Sequence, residues 1–300
     1  MRDPRLDGAD DLVTELLARC TFAPADQPVV CAVSGGADSL ALLVLAAAGH
    51  ERVTAVHVDH GLRAGSDREA DVVRHAAARV GAAFRSERVD VAPGPNLEAR
   101  ARTARFAALP SGACTGHTAD DQAETVLLQV LRGAGLDGLA AMRPDEQHPI
   151  LRLRRAETRA LCAASGLVPI EDPSNADPAF RRNRVRAEVL PLLGDVAERD
   201  VVPLLARLAD HARGAGDHLA ELAAPLDPTD AAALTAAPDA VARVAVRTWL
   251  RSCSPDHHPP DTAAVDRVLA VARLDAVATD VGGGWRVART AGRLRLEPPA

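Results

Sequence analysis

Three short stretches bring together residue types that could do chemistry. Ser34-Gly35-Gly36-Ala37-Asp38-Ser39 sets two glycines among hydroxyl and carboxylate side chains. It lies between an apolar run over 29–33 and an apolar, helix-like stretch that begins at Leu40. In a strand–turn–helix of this kind, backbone N–H groups and the positive helix end can hold a phosphate. The stretch has no lysine, so it is not the GxxxxGK[ST] loop that grips terminal phosphates. His117, Asp121 and Glu124 form a second group, whose two acids are three apart and share one helix face. Paired acids there could hold a cation or take a proton. The third group is Arg181, Arg182, Arg184 and Arg186, within a segment, 152–186, that carries eight arginines against four acids. Such a basic run can contact phosphates, or it can simply be a solvated face.

These groups need elements to position them. Strand-like patterns recur at 53–58, 83–89 and 113–115, each followed by a helical pattern, at about 67–80, 97–109 and 119–132. Strands alternating with helices of this length imply right-handed βαβ units and a parallel, Rossmann-like sheet with helices on both faces. Ligands in such sheets bind at the carboxyl ends of the strands. Four polar segments fall there: 34–39, 59–63, 93–96 and 116–121. Residues 133–149 read as a loop or lid, and from about 191 the strand signal gives way to Ala/Leu helices. The expected organisation is a helical lead-in over 1–25, a catalytic α/β domain over 26–195 and a smaller, mainly helical region over 196–300. That region ends in a short basic hairpin near 282–296.

The chain has 300 residues, 47% hydrophobic and 25% charged, ordinary for a globular protein. It has neither tyrosine nor lysine, so all 35 basic side chains are arginine. Every cationic task falls to a planar fork rather than a point charge. A net charge of −6 argues against broad, non-specific nucleic-acid binding but leaves room for a local basic face. Five scattered cysteines without a CxxC pair disfavour a zinc site or an iron–sulfur cluster. Acidic residues near the start and the absence of a long apolar run suggest a cytoplasmic protein with no membrane partner.

Five further stretches make the pattern specific. They are His57-Val58-Asp59-His60-Gly61-Leu62-Arg63; Asn96-Leu97-Glu98 with Arg102 and Arg105; Thr115-Gly116-His117-Thr118-Ala119-Asp120-Asp121-Gln122-Ala123-Glu124-Thr125; Glu171-Asp172-Pro173-Ser174-Asn175; and Arg182-Asn183-Arg184-Val185-Arg186. Together with the first loop, over about 29–193, they resemble the bacterial tRNA(Ile)-lysidine synthetase family of PP-loop ATP pyrophosphatases. The resemblance implies a two-step ligase. ATP adenylates the C2 oxygen of the wobble cytidine in a CAU-anticodon tRNA(Ile), and the ε-amine of free L-lysine then displaces AMP. It also implies roles. Ser34, Gly35, Gly36, Ala37, Asp38 and Ser39 would hold ATP, with Asp38 carrying Mg²⁺ and Asp59, His60 and Arg63 lining the nucleotide site. Arg102 and Arg105 would stabilise charge on the α-phosphate, although Arg102 can equally pair with Glu98 on a helix surface. Asp121 and Glu124 would bind lysine, with His117 at the reaction centre, and Arg181, Arg182, Arg184 and Arg186 would contact the anticodon stem. A homodimer is compatible with this reading.

Several readings stay open at this level. Thr118-Ala119-Asp120-Asp121 also makes a good capping box, and Thr118 stands where the family usually has a second histidine. Leu153-Arg154-Arg155 replaces the family's usual Arg-Pro-Leu-Leu near Arg152. A sulfur-inserting tRNA enzyme shares the first loop but would want a CxxC. A small-molecule amidating ligase would not need the arginine-rich 181–186 segment. A non-catalytic RNA-binding protein would not need the intact 34–39 loop and both acids.

Overall fold

The computed structural model describes residues 10–59, 66–89, 100, 104, 107–172, 177–253 and 260–298. The chain divides into two compact units, Met1–Asp210 and His211–Ala300. In the first unit, α1 (Asp10–Leu17) precedes β1 (Val29–Ala32), α2 (Ala37–Gly49), β2 (Val53–Asp59), α3 (Ser66–Val80) and β3 (Ala83–Arg88). Further on come β4 (Cys114–Thr115), α4 (Ala119–Val130), the short α5 (Leu136–Leu139) and α6 (Arg155–Ala164). α7 (Arg181–Arg184) runs through a π-helical turn, Val185–Val189, into α8 (Leu190–Ala197). The four strands form one sheet in the order β3-β2-β1-β4, and every pairing is parallel. The α/β reading from periodicity therefore holds. The helix expected over 97–109 lies largely outside the described residues, as do His60, Arg63, Glu98, Arg102 and Arg105.

The core forms around α2, which is buried from Ser39 to Ala47. A helix apolar on every side belongs inside a protein rather than on its surface. Leu40, Leu42, Leu43 and Leu45 pack with Val29, Cys31 and Val53 of the sheet and with Leu161 and Cys162 of α6. Burying α2 fixes its N-terminus, and with it the 34–39 loop, at the carboxyl end of β1. The loop expected at 133–149 contains one helical turn, α5. No helix among the described residues is long and apolar enough to cross a membrane.

In the second unit, α9 (Val202–Ala223), which begins in the first, leads to α10 (Ala231–Ala236), α11 (Asp239–Cys253) and α12 (Thr262–Ala272). Asp230 caps α10 by accepting from the N–H groups of Ala232 and Ala233 at 2.9 and 3.1 Å. The basic tail is a three-stranded antiparallel sheet, β5 (Ala278–Gly282), β6 (Trp285–Thr290) and β7 (Arg293–Glu297), rather than a hairpin. The first strand escapes a sequence reading because Ala-Thr-Asp-Val-Gly is short and barely alternates. Val287 and Leu294 face inward onto Val265, Val268 and Leu269 of α12.

Candidate active site

The first loop is built by its own hydroxyls and by one glycine that no other residue could replace without strain. Ser39 Oγ accepts from the Ser34 N–H at 3.1 Å and donates to the Gly36 carbonyl at 2.9 Å. Gly35 sits at φ +87°, in the left-handed region, where a Cβ would come within 2.8 Å of Ile170 Cδ1. Its carbonyl accepts from the Ile170 N–H at 2.9 Å, so the chain after α6 anchors the turn. Gly116, just past β4, approaches the loop from the other side. A Cβ there would lie 2.9 Å from the backbone of Asp38 and Ser39. The start of α2 and the β4–α4 junction are thus in direct backbone contact at the carboxyl rim of the sheet.

Across that junction stand the acids. Asp38 accepts from the Thr158 hydroxyl through Oδ1 and faces Arg155 Nε through Oδ2 at 3.4 Å. Burial pushes its carboxyl above the ordinary value, and the nearby Asp121 charge adds to this; Thr158 and Arg155 only partly offset it. Asp121 Oδ2 accepts from both the N–H and the hydroxyl of Thr118 at 2.9 Å, while Oδ1 meets Arg155 Nη2 at 2.9 Å. Burial works against its ionisation too, but Arg155, Arg182 and the Thr118 N–H outweigh burial and hold it below the usual carboxylate range. Glu124, one turn later, is fully buried. Arg155 Nη1 reaches it at 3.2 Å, Arg182 Nε at 2.8 Å and Arg186 Nε at 2.7 Å. Three carboxylates therefore meet three guanidiniums, and the cluster balances its own charge.

The four arginines expected to face tRNA divide into two pairs. Arg182 and Arg186 turn inward onto Glu124, and Arg182 Nη2 also donates to the Asp121 carbonyl at 3.1 Å and to Thr125 Oγ1 at 3.0 Å. Arg181 is exposed. Arg184 is exposed as well and pairs with Glu188 at 2.9 Å along its own helix. The π-turn shifts the register after Arg184, which suits the inward turn of Arg186 in the next residues. His117 joins the cluster's edge. Its Nδ1 lies 2.7 Å from Thr115 Oγ1, and its ring is 5.4 Å from that of His148. Asp59 closes β2 at the same rim and is buried.

Two residues of the cluster escaped the sequence reading. Arg155 appears there only as one charge in a basic run and as part of the Leu153-Arg154-Arg155 departure, with no role, and Thr158 not at all. They begin α6 three residues apart, hence on one face. That spacing says they point the same way, but not that Asp38 lies opposite. Asp120 fixes the start of α6 by accepting from the Arg155 N–H at 2.8 Å and from Arg154 Nε at 3.1 Å. Thr118 caps the start of α4 and uses its hydroxyl to orient Asp121.

The PP-loop domain family matches residues 11–193, more than half of the chain. Over most of its length, the chain is 44% identical to the tRNA(Ile)-lysidine synthase of Nocardia farcinica, covering 91% of this chain and 92% of that one. This chain belongs to the tRNA(Ile)-lysidine synthase family. The corresponding proteins of Rhodococcus jostii and Mycobacterium tuberculosis are each 42% identical, over 87% and 73% of this chain and 82% and 73% of theirs. In fold alone, the chain resembles the solved U34-tRNA thiolase NcsA of Methanococcus maripaludis. The TM-score is 0.50 at 15% identity, over 67% of this chain and 78% of that one. In the lysidine synthase family the match therefore includes the pyrophosphate loop, the acids of α4 and the start of the second unit.

Proposed function

We propose that the protein ligates free L-lysine to C2 of the wobble cytidine of CAU-anticodon tRNA(Ile). The observation that supports this most directly is the approach of the 34–39 loop to the β4–α4 junction, with Arg155 bridging Asp38 to Asp121 and Glu124, in a chain of this family. In the first step the cytidine C2 oxygen attacks the α-phosphate, and the bond to pyrophosphate breaks. Ser34, Ser39 and the backbone of Gly35 and Gly36 hold the departing pyrophosphate. In the second step the ε-amine of lysine attacks C2, the C2–O bond breaks and AMP leaves.

Mg²⁺ fits this loop. Among the described residues no group of three or more His, Cys, Asp or Glu could hold a metal unaided. Magnesium, however, is commonly bound by one or two carboxylates with substrate phosphates and retained waters. Asp38 is such a carboxylate once Arg155 yields Oδ2. When bound, the ion would neutralise charge on the phosphates.

Lysine's ammonium groups have a side-chain pKa of about 10.4, so the ε-amine must lose a proton before attack. Asp121, held below the usual range, is suited to fix an ammonium as a constant negative charge rather than to take its proton. His117, at the same strand end, is assigned the proton. Glu124 acts from beneath, by holding Arg182 and Arg186. Arg181 and Arg184 are assigned to the tRNA backbone, with phosphate contacts and shape dominating because aromatic side chains are scarce.

Mass analysis of the modified nucleoside after incubation with ATP, lysine and the tRNA tests the assignment. Lysidine with AMP and pyrophosphate is expected. A thiolated nucleoside would point to sulfur insertion, and ATP turnover without RNA would point to a small-molecule ligase.

A further inference from the structure

Among the described residues, Arg155 alone reaches all three acids of the cluster. Its Nε faces Asp38 at 3.4 Å, Nη2 faces Asp121 at 2.9 Å and Nη1 faces Glu124 at 3.2 Å. Asp38 belongs to the pyrophosphate loop, and Asp121 to the acids assigned to lysine. Each ligand would bring positive charge to a carboxylate that Arg155 already occupies. We propose that Arg155 is a positioning residue that couples the two substrate sites, so that Mg²⁺·ATP and lysine tighten each other's binding. The inference rests on the function proposed above.

The argument is geometric. A guanidinium is a rigid planar fork, so it cannot leave one carboxylate while keeping its geometry on the next. Whichever ligand arrives first loosens Arg155 from both acids, and the second meets a carboxylate already released. Glu124 tolerates the movement because Arg182 and Arg186 remain on it at 2.8 and 2.7 Å. Asp121 keeps the Thr118 N–H and hydroxyl. The main chain of Arg155 stays in place, since its N–H is bound to Asp120 at 2.8 Å. By linkage the coupling must be reciprocal.

The test is calorimetric titration of lysine into the full chain, alone and with saturating Mg²⁺ and the non-hydrolysable α,β-methylene analogue of ATP. The wild-type protein should bind lysine at least about fivefold more tightly with the nucleotide. Arg155→Gln should bind it about equally in both states. Arg155→Lys, whose ammonium cannot span three carboxylates, should lose most of the effect. An unchanged wild-type affinity would overturn the coupling. So would full tightening retained in Arg155→Gln or, should that variant not fold, in Arg155→Lys. Failure of the wild-type protein to bind lysine in either state would instead overturn the lysine assignment itself.

Discussion

Asp38 is a half-buried carboxylate and Glu124 a fully buried one, and they should respond oppositely to loss of charge. Burial disfavours the charge on Asp38, so Asp38→Asn should unfold at the same or a higher denaturant concentration, while Asn keeps an acceptor for Thr158. Its pyrophosphate release should nevertheless fall about 100-fold or more, because in the proposed function it holds the metal ion, a contribution of several kcal/mol. Glu124 is instead the shared counter-charge of three arginines. Glu124→Gln removes the fully buried counter-charge of three half-buried arginines and should destabilise the fold by about 3–5 kcal/mol in urea titration. Sequence spacing puts Asp121 and Glu124 on one face, yet gives no sign that Glu124 is fully buried under arginines while Asp121 stays slightly open. That difference comes from Arg182 and Arg186, more than fifty residues further along the chain.

At the level of elements, the site is where three helix starts, those of α2, α4 and α6, meet one strand end. Gly116 and Gly36 separate the contributions. A Cβ at Gly116 meets backbone atoms at 2.9 Å, which cannot move without shifting α2, whereas one at Gly36 meets only Ser34 Oγ at 3.6 Å. Gly116→Ala should therefore lower the denaturation midpoint, by about 1–3 kcal/mol for an overpacked contact, and weaken ATP binding with it. Gly36→Ala should leave the midpoint almost unchanged, so that any loss of ATP affinity reflects crowding of the phosphates. The βαβ pattern was legible because buried strands and amphipathic helices carry their own periodicity. The first strand of the tail, β5, was not, since five residues followed by two further glycines hold too few alternations.

Charge organises the whole molecule, and pH and salt read different parts of it. Asp120 and Asp121 lie below the ordinary 3.8 in the fold. For Asp120 burial is overcome by hydrogen bonds from Arg154 and the Arg155 N–H; for Asp121, Arg155 and Arg182 overcome it. The unfolded chain then takes up protons first, so their stabilisation is complete above 3.8 and is lost as pH falls through the folded values. Asp38, shifted upward, contributes with the opposite sign. The melting temperature should drop as pH is lowered below about 4, and Asp120→Asn should flatten that drop. Salt reports on the outward arginines instead. Arg181→Ala should weaken tRNA binding without altering stability and reduce the salt slope by about one. Arg186→Ala should lower the stability of the protein even without tRNA.

The sequence by itself determined the family, the parallel sheet and the glycine loop that opens α2. These are local facts, set by periodicity, by glycine's access to positive φ and by motif order. Only the tertiary structure decided which of the eight arginines between 152 and 186 face solvent and which complete the site. A guanidinium's partner is chosen by what lies across space, and the acids that hold Arg155, Arg182 and Arg186 stand on a different helix from any of them.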